Sequence, residues 1–177
     1  MRKKLQLHEL NRLDIQAFSE APKFRIRVIA ENIRSAMNVG SFFRTSDAFA
    51  IEKLILTGIT AKPPHREITK TAIGATESVE WEHVDSIHPI LEKSLDDGYT
   101  LIAVEQTNES IPLDEFKVLP DGKYILVFGN EVEGVSDQVI AKANQCIEIP
   151  QYGTKHSLNV TVCVGIVLWE FVSQMTR

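Results

Sequence analysis

Three short blocks, widely separated along the chain, carry side chains able to grip and orient a polar substrate. The segment Ile149-Pro150-Gln151-Tyr152-Gly153-Thr154-Lys155-His156-Ser157-Leu158-Asn159-Val160 sets a strand end, a glycine and two small polar groups ahead of a long apolar run. A helix starting near Ser157 aims unpaired backbone N–H groups at whatever lies before it, with the Ser157 and Asn159 side chains placed to hold a polar group there. A second block, Asn38-Val39-Gly40-Ser41-Phe42-Phe43-Arg44-Thr45, offers an amide and a guanidinium on one helix. In a third, Leu126-Val127-Phe128-Gly129-Asn130-Glu131, an apolar strand ends in glycine, amide and carboxylate. Amides donate and accept at once, and a guanidinium offers a planar fork of donors, so the chemistry within reach is the gripping and orienting of a polar group.

In this order the three blocks resemble the signature motifs of the SpoU (TrmH-type) branch of the SPOUT RNA methyltransferases, over about Val28 to Glu170. The resemblance implies transfer of a methyl group from S-adenosyl-L-methionine to a ribose 2′-hydroxyl of structured RNA, either tRNA or rRNA. It further implies a homodimer with a deep C-terminal trefoil knot and no metal. By the same resemblance Gly129, Ile149 and Leu158 line the cofactor slot, closed on one side by the end of the Leu101–Thr107 strand, with Thr107 at its rim. Arg44 is then the residue at the reacting hydroxyl, gripping phosphate and stabilising the developing alkoxide, with the base left open. Asn38 and Asn159 hold the ribose and a neighbouring loop, Ser157 matches the family serine, and Glu131 orients Arg44 or the serine loop. The chain departs from the pattern at Gln151-Tyr152, where methionine is common, and at Ala50, where glycine is common after Phe49.

Each of these residues also has a purely structural reading. Asn38, Asn159 and Ser157 suit helix N-caps. Arg44 could pair with Asp47 or Glu31 on the surface, and Glu131 could be a solvated turn carboxylate. Gly129, Ile149 and Leu158 taken singly could be turn and core. His156, which the family pattern does not require, is taken as a bystander. The competing function is a non-catalytic RNA-binding or ribosome-associated protein of the same fold. A dinucleotide- or phosphate-binding enzyme is disfavoured, because neither G-x-G-x-x-G after the first strand nor G-x-x-x-x-G-K-[ST] occurs.

The chain's 177 residues fit one domain, and 44% hydrophobic with 24% charged residues is an ordinary globular composition. A net charge of −5 sits awkwardly with RNA binding, yet residues 1–27 hold seven basic side chains against three acidic ones. The basic start lacks the apolar stretch of a secretory signal, and the apolar run from Val160 to Val172 is too short to span a bilayer, so a cytoplasmic protein free of membrane is expected. Cys146 and Cys163, far apart, form no metal or redox motif and read as inert core residues.

Positioning these groups requires an alternating fold. Apolar spacing predicts one amphipathic helix from Leu5 to Phe18, ended at Ala21-Pro22, in a basic arm spanning residues 1–23. Beyond it, in a domain over residues 24–177, strands are expected at Arg25–Ala30, Lys53–Leu56, Val79–His83, Thr100–Val104, Tyr124–Phe128 and Cys146–Ile149. Helices are expected at Val39–Phe49, Glu67–Ile73, Ile87–Leu95, Asp137–Ala143 and Leu158–Met175. Such alternation dictates an α/β fold, a parallel sheet with helices on both faces. The last helix, apolar nearly all round, is expected to be buried, in part by a second copy.

Overall fold

The computed structural model describes residues 2–177; Met1 and the side chains of Leu7 and Ser94 lie outside the described residues, so Leu7's place in the apolar stripe goes with them. Seven parallel strands form one sheet: β1 (Phe24–Glu31), β2 (Ile51–Thr57), β3 (Trp81–Val84), β4 (Thr100–Val104), β5 (Ile111–Pro112), β6 (Tyr124–Phe128) and β7 (Gln145–Glu148), in the order β3-β2-β1-β6-β4-β7-β5. The helices are α1 (Ile15–Glu20), α2 (Ala36–Ala48), α3 (Arg66–Ala72), α4 (Ala75–Ser78), α5 (His88–Asp96), α6 (Asp137–Lys142) and α7 (Val160–Met175). The expected strands and helices are all present beyond residue 23. The short β5 and α4 are not foreseeable from periodicity, because two or four residues are too few to show a repeat.

Strand alternation sorts the core into two layers. Along β6, Tyr124, Leu126 and Phe128 enter one cluster with Phe42, Phe43, Ile68, Val164 and Phe171 from α2, α3 and α7. Ile125 and Val127 enter the other with Leu91 of α5 and Val139 of α6. Both faces of the sheet are therefore covered, which is why its central strands are almost wholly apolar. Phe42 of α2 meets Phe128 of β6 edge to face at 5.9 Å, fixing the helix over the strand whose end carries Gly129.

The arm differs from its expectation. A single 3-10 turn at Leu7–Leu10 closes at Asn11, which adopts φ 48°, and a separate α1 starts where Asp14 accepts the Ala17 N–H at 2.8 Å. Asparagine tolerates the left-handed region and aspartate caps strongly, so these two side chains break the continuous helix that the apolar spacing suggests. Leu5, Leu10, Leu13 and Ile15 remain exposed.

Two further expectations shift. The last helix begins at Val160, not Leu158, since Asn159 is its cap. It is buried along Val164, Val167, Leu168 and Phe171, but Val162, Ile166 and Trp169 form an exposed apolar stripe.

Candidate active site

A cleft of about 470 Å³ opens beyond the carboxyl ends of β4, β6 and β7, the edge at which parallel α/β sheets hold ligands. Its walls come from three loops: Val104–Gln106 after β4, Phe128–Gly134 after β6, and Ile147–Val160 leading from β7 into α7. Gly129, Glu131, Ile149, Ser157, Leu158 and Asn159 all line it, so two of the three sequence blocks meet there.

Gly129 is required by close approach. A Cβ built on it would fall 1.9 Å from the Gly134 carbonyl carbon and 2.1 Å from the Val135 nitrogen, both backbone. The loop from Asn130 therefore folds back directly against the end of β6, held by the Gly134 N–H donating to the Asn130 carbonyl at 3.0 Å. Gly134, at φ +71°, leaves room for Glu105, whose carboxylate accepts the Val135 N–H at 2.8 Å and the Gln106 N–H at 2.9 Å. Gly153 carries no such demand: a Cβ added there would meet nothing within 4 Å, and its φ is not left-handed.

The first block reaches the cleft through one contact. Asn38, in the first turn of α2, donates its Nδ2 to Glu131 Oε1 at 2.6 Å, and the Arg34 N–H donates to Glu131 Oε2 at 3.2 Å. Burial pushes the Glu131 carboxyl up, but its own N–H, Asn38 and the Arg34 and Ser35 backbone donors outweigh this and hold it below the usual range. Glu131 thus ties the cleft to the start of α2, and among the described residues no hydrogen bond joins its carboxylate directly to Arg44 or Ser157. Asn38 is not the cap, since Ser35 accepts the Asn38 N–H at 3.3 Å in that role.

Arg44 does not reach the cleft within one chain. It is exposed, and it lines a separate groove with Asp47, Ala50, Ile73 and the arm residues Arg12 and Leu13. The alternative ion pairs are not made among the described residues either: Asp47 accepts from Ser78, and Glu31 accepts the Ser136 N–H at 3.0 Å and its hydroxyl at 2.7 Å. Asn38 and Arg44 sit nearly two turns apart on α2, so the helix that brings one to Glu131 carries the other away.

In the last block, Asn159 is the N-cap of α7, its Oδ1 accepting from the Thr161 N–H at 2.9 Å and hydroxyl at 2.6 Å. Ser157 is exposed on the cleft wall and is not a cap. Thr107 lies outside the cleft, its N–H donating to the Ser110 hydroxyl and its own hydroxyl accepting the Glu109 N–H, because the strand ends at Val104 and the chain turns away. Glu105 and Gln106 occupy the rim instead.

Glu105, Glu133 and Glu148 also line the cleft, as does His156, and none of the four is singled out by the sequence pattern. The usable signal is position alone: Glu105 immediately follows β4, at the strand end where ligands sit. Cys163 is a cleft-lining residue of the first turn of α7, not plain core; burial, with the Glu105 charge adding, pushes its thiol up to about 12, so it stays neutral.

Against known proteins, the model of the SpoU rRNA methylase family matches residues 25–169. The chain belongs to this family. A tRNA (guanosine(18)-2'-O)-methyltransferase of Aquifex aeolicus is 32% identical over 149 residues, covering 81% of this chain and 66% of the relative. The mouse enzyme of the same description, TARBP1, is 31% identical over 155 residues, 85% of this chain. The crystal structure of the A. aeolicus TrmH/SpoU tRNA modifying enzyme superposes with a TM-score of 0.81 at 28% identity, covering 92% of this chain and 81% of that one. The chain spans 9%, 54% and 10% of the lengths of three of the curated relatives it matches.

Proposed function

We propose that this SpoU chain is an S-adenosyl-L-methionine-dependent methyltransferase acting on a ribose 2′-hydroxyl of tRNA or rRNA. One observation carries the reading: Gly129, Glu131, Ile149, Ser157, Leu158 and Asn159 surround a single cleft, and Asn38 is bonded to its wall. The donor set fits the cofactor. Phe128, Ile147, Ile149 and Leu158 offer an apolar slot for a nucleoside base, while Glu105, Glu131, Glu133 and Glu148 give the walls a negative character suited to a sulfonium cation. Bound there, S-adenosyl-L-methionine supplies an electrophilic methyl group, and the chain's task is to place and deprotonate an alcohol in line with it.

Ser157 and the Nδ2 of Asn159 are the groups proposed to hold the ribose. The Asn159 Oδ1 is committed to Thr161, which fixes the amide's orientation. Arg44 is proposed to grip the phosphate and stabilise the developing alkoxide. Because it faces another groove in its own chain, it is inferred to enter the cleft of a second copy. The exposed stripe of Val162, Ile166 and Trp169 on α7 supports a homodimer that hides it. Asn38 and Glu131 are positioning residues, joining the cleft to the helix that bears Arg44.

The finer parts of the reading rest on the same resemblance. A deep trefoil knot is proposed for the C-terminal half, supported by β6 lying between β1 and β4 with the cleft loops folded over its end. The basic arm, residues 1–23, and the methyltransferase domain, residues 24–177, are taken as separate functional parts. No metal is assigned a role. A cytoplasmic site of action is proposed, and no helix among the described residues is long and apolar enough to cross a membrane.

The test is incubation of the purified protein with methyl-labelled donor and tRNA or rRNA lacking native methylation. Label on ribose is the expected result. Donor binding without label on any RNA would overturn the catalytic reading in favour of a non-catalytic RNA-binding protein. Mixed dimers of Arg44→Ala and Ser157→Ala subunits test the placement of Arg44. If it acts across the interface, the mixture regains up to half of one site's activity relative to either parent; if it acts in its own subunit, the mixture regains none.

A further inference from the structure

Among the described residues Tyr152, at 97%, is the most exposed large apolar side chain, and it makes no hydrogen bond or ring contact there. Its position is not arbitrary. Gln151 on one side of it and His156 and Ser157 on the other line the cleft, so the ring projects from a loop whose two ends are cleft wall. From Ile149 to Asn159 that loop holds no acidic residue, and it carries Lys155 and His156, both exposed. Around it the cleft is rich in carboxylates. A solvated aromatic ring on a loop that also carries an exposed lysine is costly to leave facing water and suits one class of partner, an unstacked nucleobase with its phosphate.

We propose that Tyr152 is a stacking platform for a nucleobase next to the target ribose, a positioning and specificity residue for the RNA. This rests on the RNA-directed reading above. A base stacked on the ring would run its strand along the same loop that carries Lys155 and the cleft-lining Ser157. A second exposed apolar group, Val132, 72% exposed in the loop after β6, lines the cleft itself. Recognition of this kind favours loops and single-stranded bends over duplex, because only there can bases leave their stack.

The experiment compares wild type, Tyr152→Phe and Tyr152→Ala in filter binding of total tRNA from cells lacking this gene, across a salt series. Stacking is worth about a five- to hundred-fold change in affinity on removal of the ring. Tyr152→Ala is expected to lose affinity within that range at every salt concentration, with an unchanged slope of log affinity against log salt, and Tyr152→Phe to stay within about twofold of wild type. Lys155→Ala is expected to flatten the slope instead. Donor affinity by calorimetry and sedimentation mass stay unchanged in both tyrosine variants. Tyr152→Ala binding like wild type, Tyr152→Phe failing as badly as alanine, or a drop in mass that marks the ring as a dimer contact would each overturn the proposal. If wild type binds RNA and transfers no methyl group, the activity reading fails while the affinity ratio still decides the stacking; if wild type binds no RNA, the stacking proposal falls.

Discussion

Gly129→Ala should cost far more than the same added methyl group at Gly153. Its Cβ would lie 1.9 Å from the Gly134 carbonyl carbon, 2.0 Å from the Gly134 oxygen and 2.1 Å from the Val135 nitrogen. Carbon atoms rest comfortably about 3.5 Å apart, so the end of β6 and the returning loop must part by about 1.5 Å. None of the three atoms belongs to a flexible side chain, and the loop is held by the Gly134 to Asn130 bond at 3.0 Å and the Val135 N–H to Glu105 at 2.8 Å. Losing the charge-assisted bond costs about 1.5–3 kcal/mol and overpacking a further ~1–3, which together suggest about 2.5–6 kcal/mol. Urea or guanidinium unfolding measures this directly. Calorimetry with S-adenosyl-L-methionine should show binding lost with it, because the same loop walls the cleft. Gly153→Ala is the internal control, with an open Cβ position in the same site, and should move stability by no more than about 0.5 kcal/mol. Equal midpoints for the two variants would refute the claim that close backbone approach dictates the glycine.

Three further substitutions probe other parts of the reasoning. Ala50 sits at φ 46° at the end of α2, so Ala50→Gly should relieve left-handed strain and raise stability by about 0.5–1 kcal/mol in denaturant unfolding, after the entropic cost of glycine. Tyr99 is held protonated by burial first and by its bond to Glu52 second, which pushes its hydroxyl up to about 12. A folded pKa raised above the unfolded one means stabilisation complete below about pH 10 and lost as pH climbs toward about 12; spectrophotometric titration should show a late transition that vanishes in Tyr99→Phe. Asn38→Asp would place a second carboxylate beside Glu131 where a donor now sits at 2.6 Å. The variant's deficit in stability should therefore be small near about pH 4, where the pair shares a proton, and larger at about pH 8, where both ionise. A deficit independent of pH would count against a direct Asn38–Glu131 contact.

The parts of this protein that reveal themselves along the chain are those governed by neighbours in sequence. β4 and β6 fall at their expected residues, because runs as short as Tyr124–Phe128, apolar throughout and bounded by turn residues, suit strands buried on both faces. The arm departs from its expected single helix for a local reason as well: the capping chemistry of Asn11 and Asp14 stops one turn and starts the next, and it outweighs the apolar spacing.

Contacts between distant segments are another matter. Sequence alone marks Gly129, Glu131, Ser157 and Asn159 as polar or permissive groups at element ends, and their chemistry follows from residue type. Only the fold decides that Glu131 turns to the start of α2 and takes Asn38, and that Glu105 joins the cleft while Thr107 leaves it. It likewise decides that Arg44 faces a different groove from the one its neighbour Asn38 serves. Periodicity and capping act over a turn or two of chain, whereas the direction of a side chain toward a partner some ninety residues away depends on how helices and strands pack, and that information resides in the assembled core.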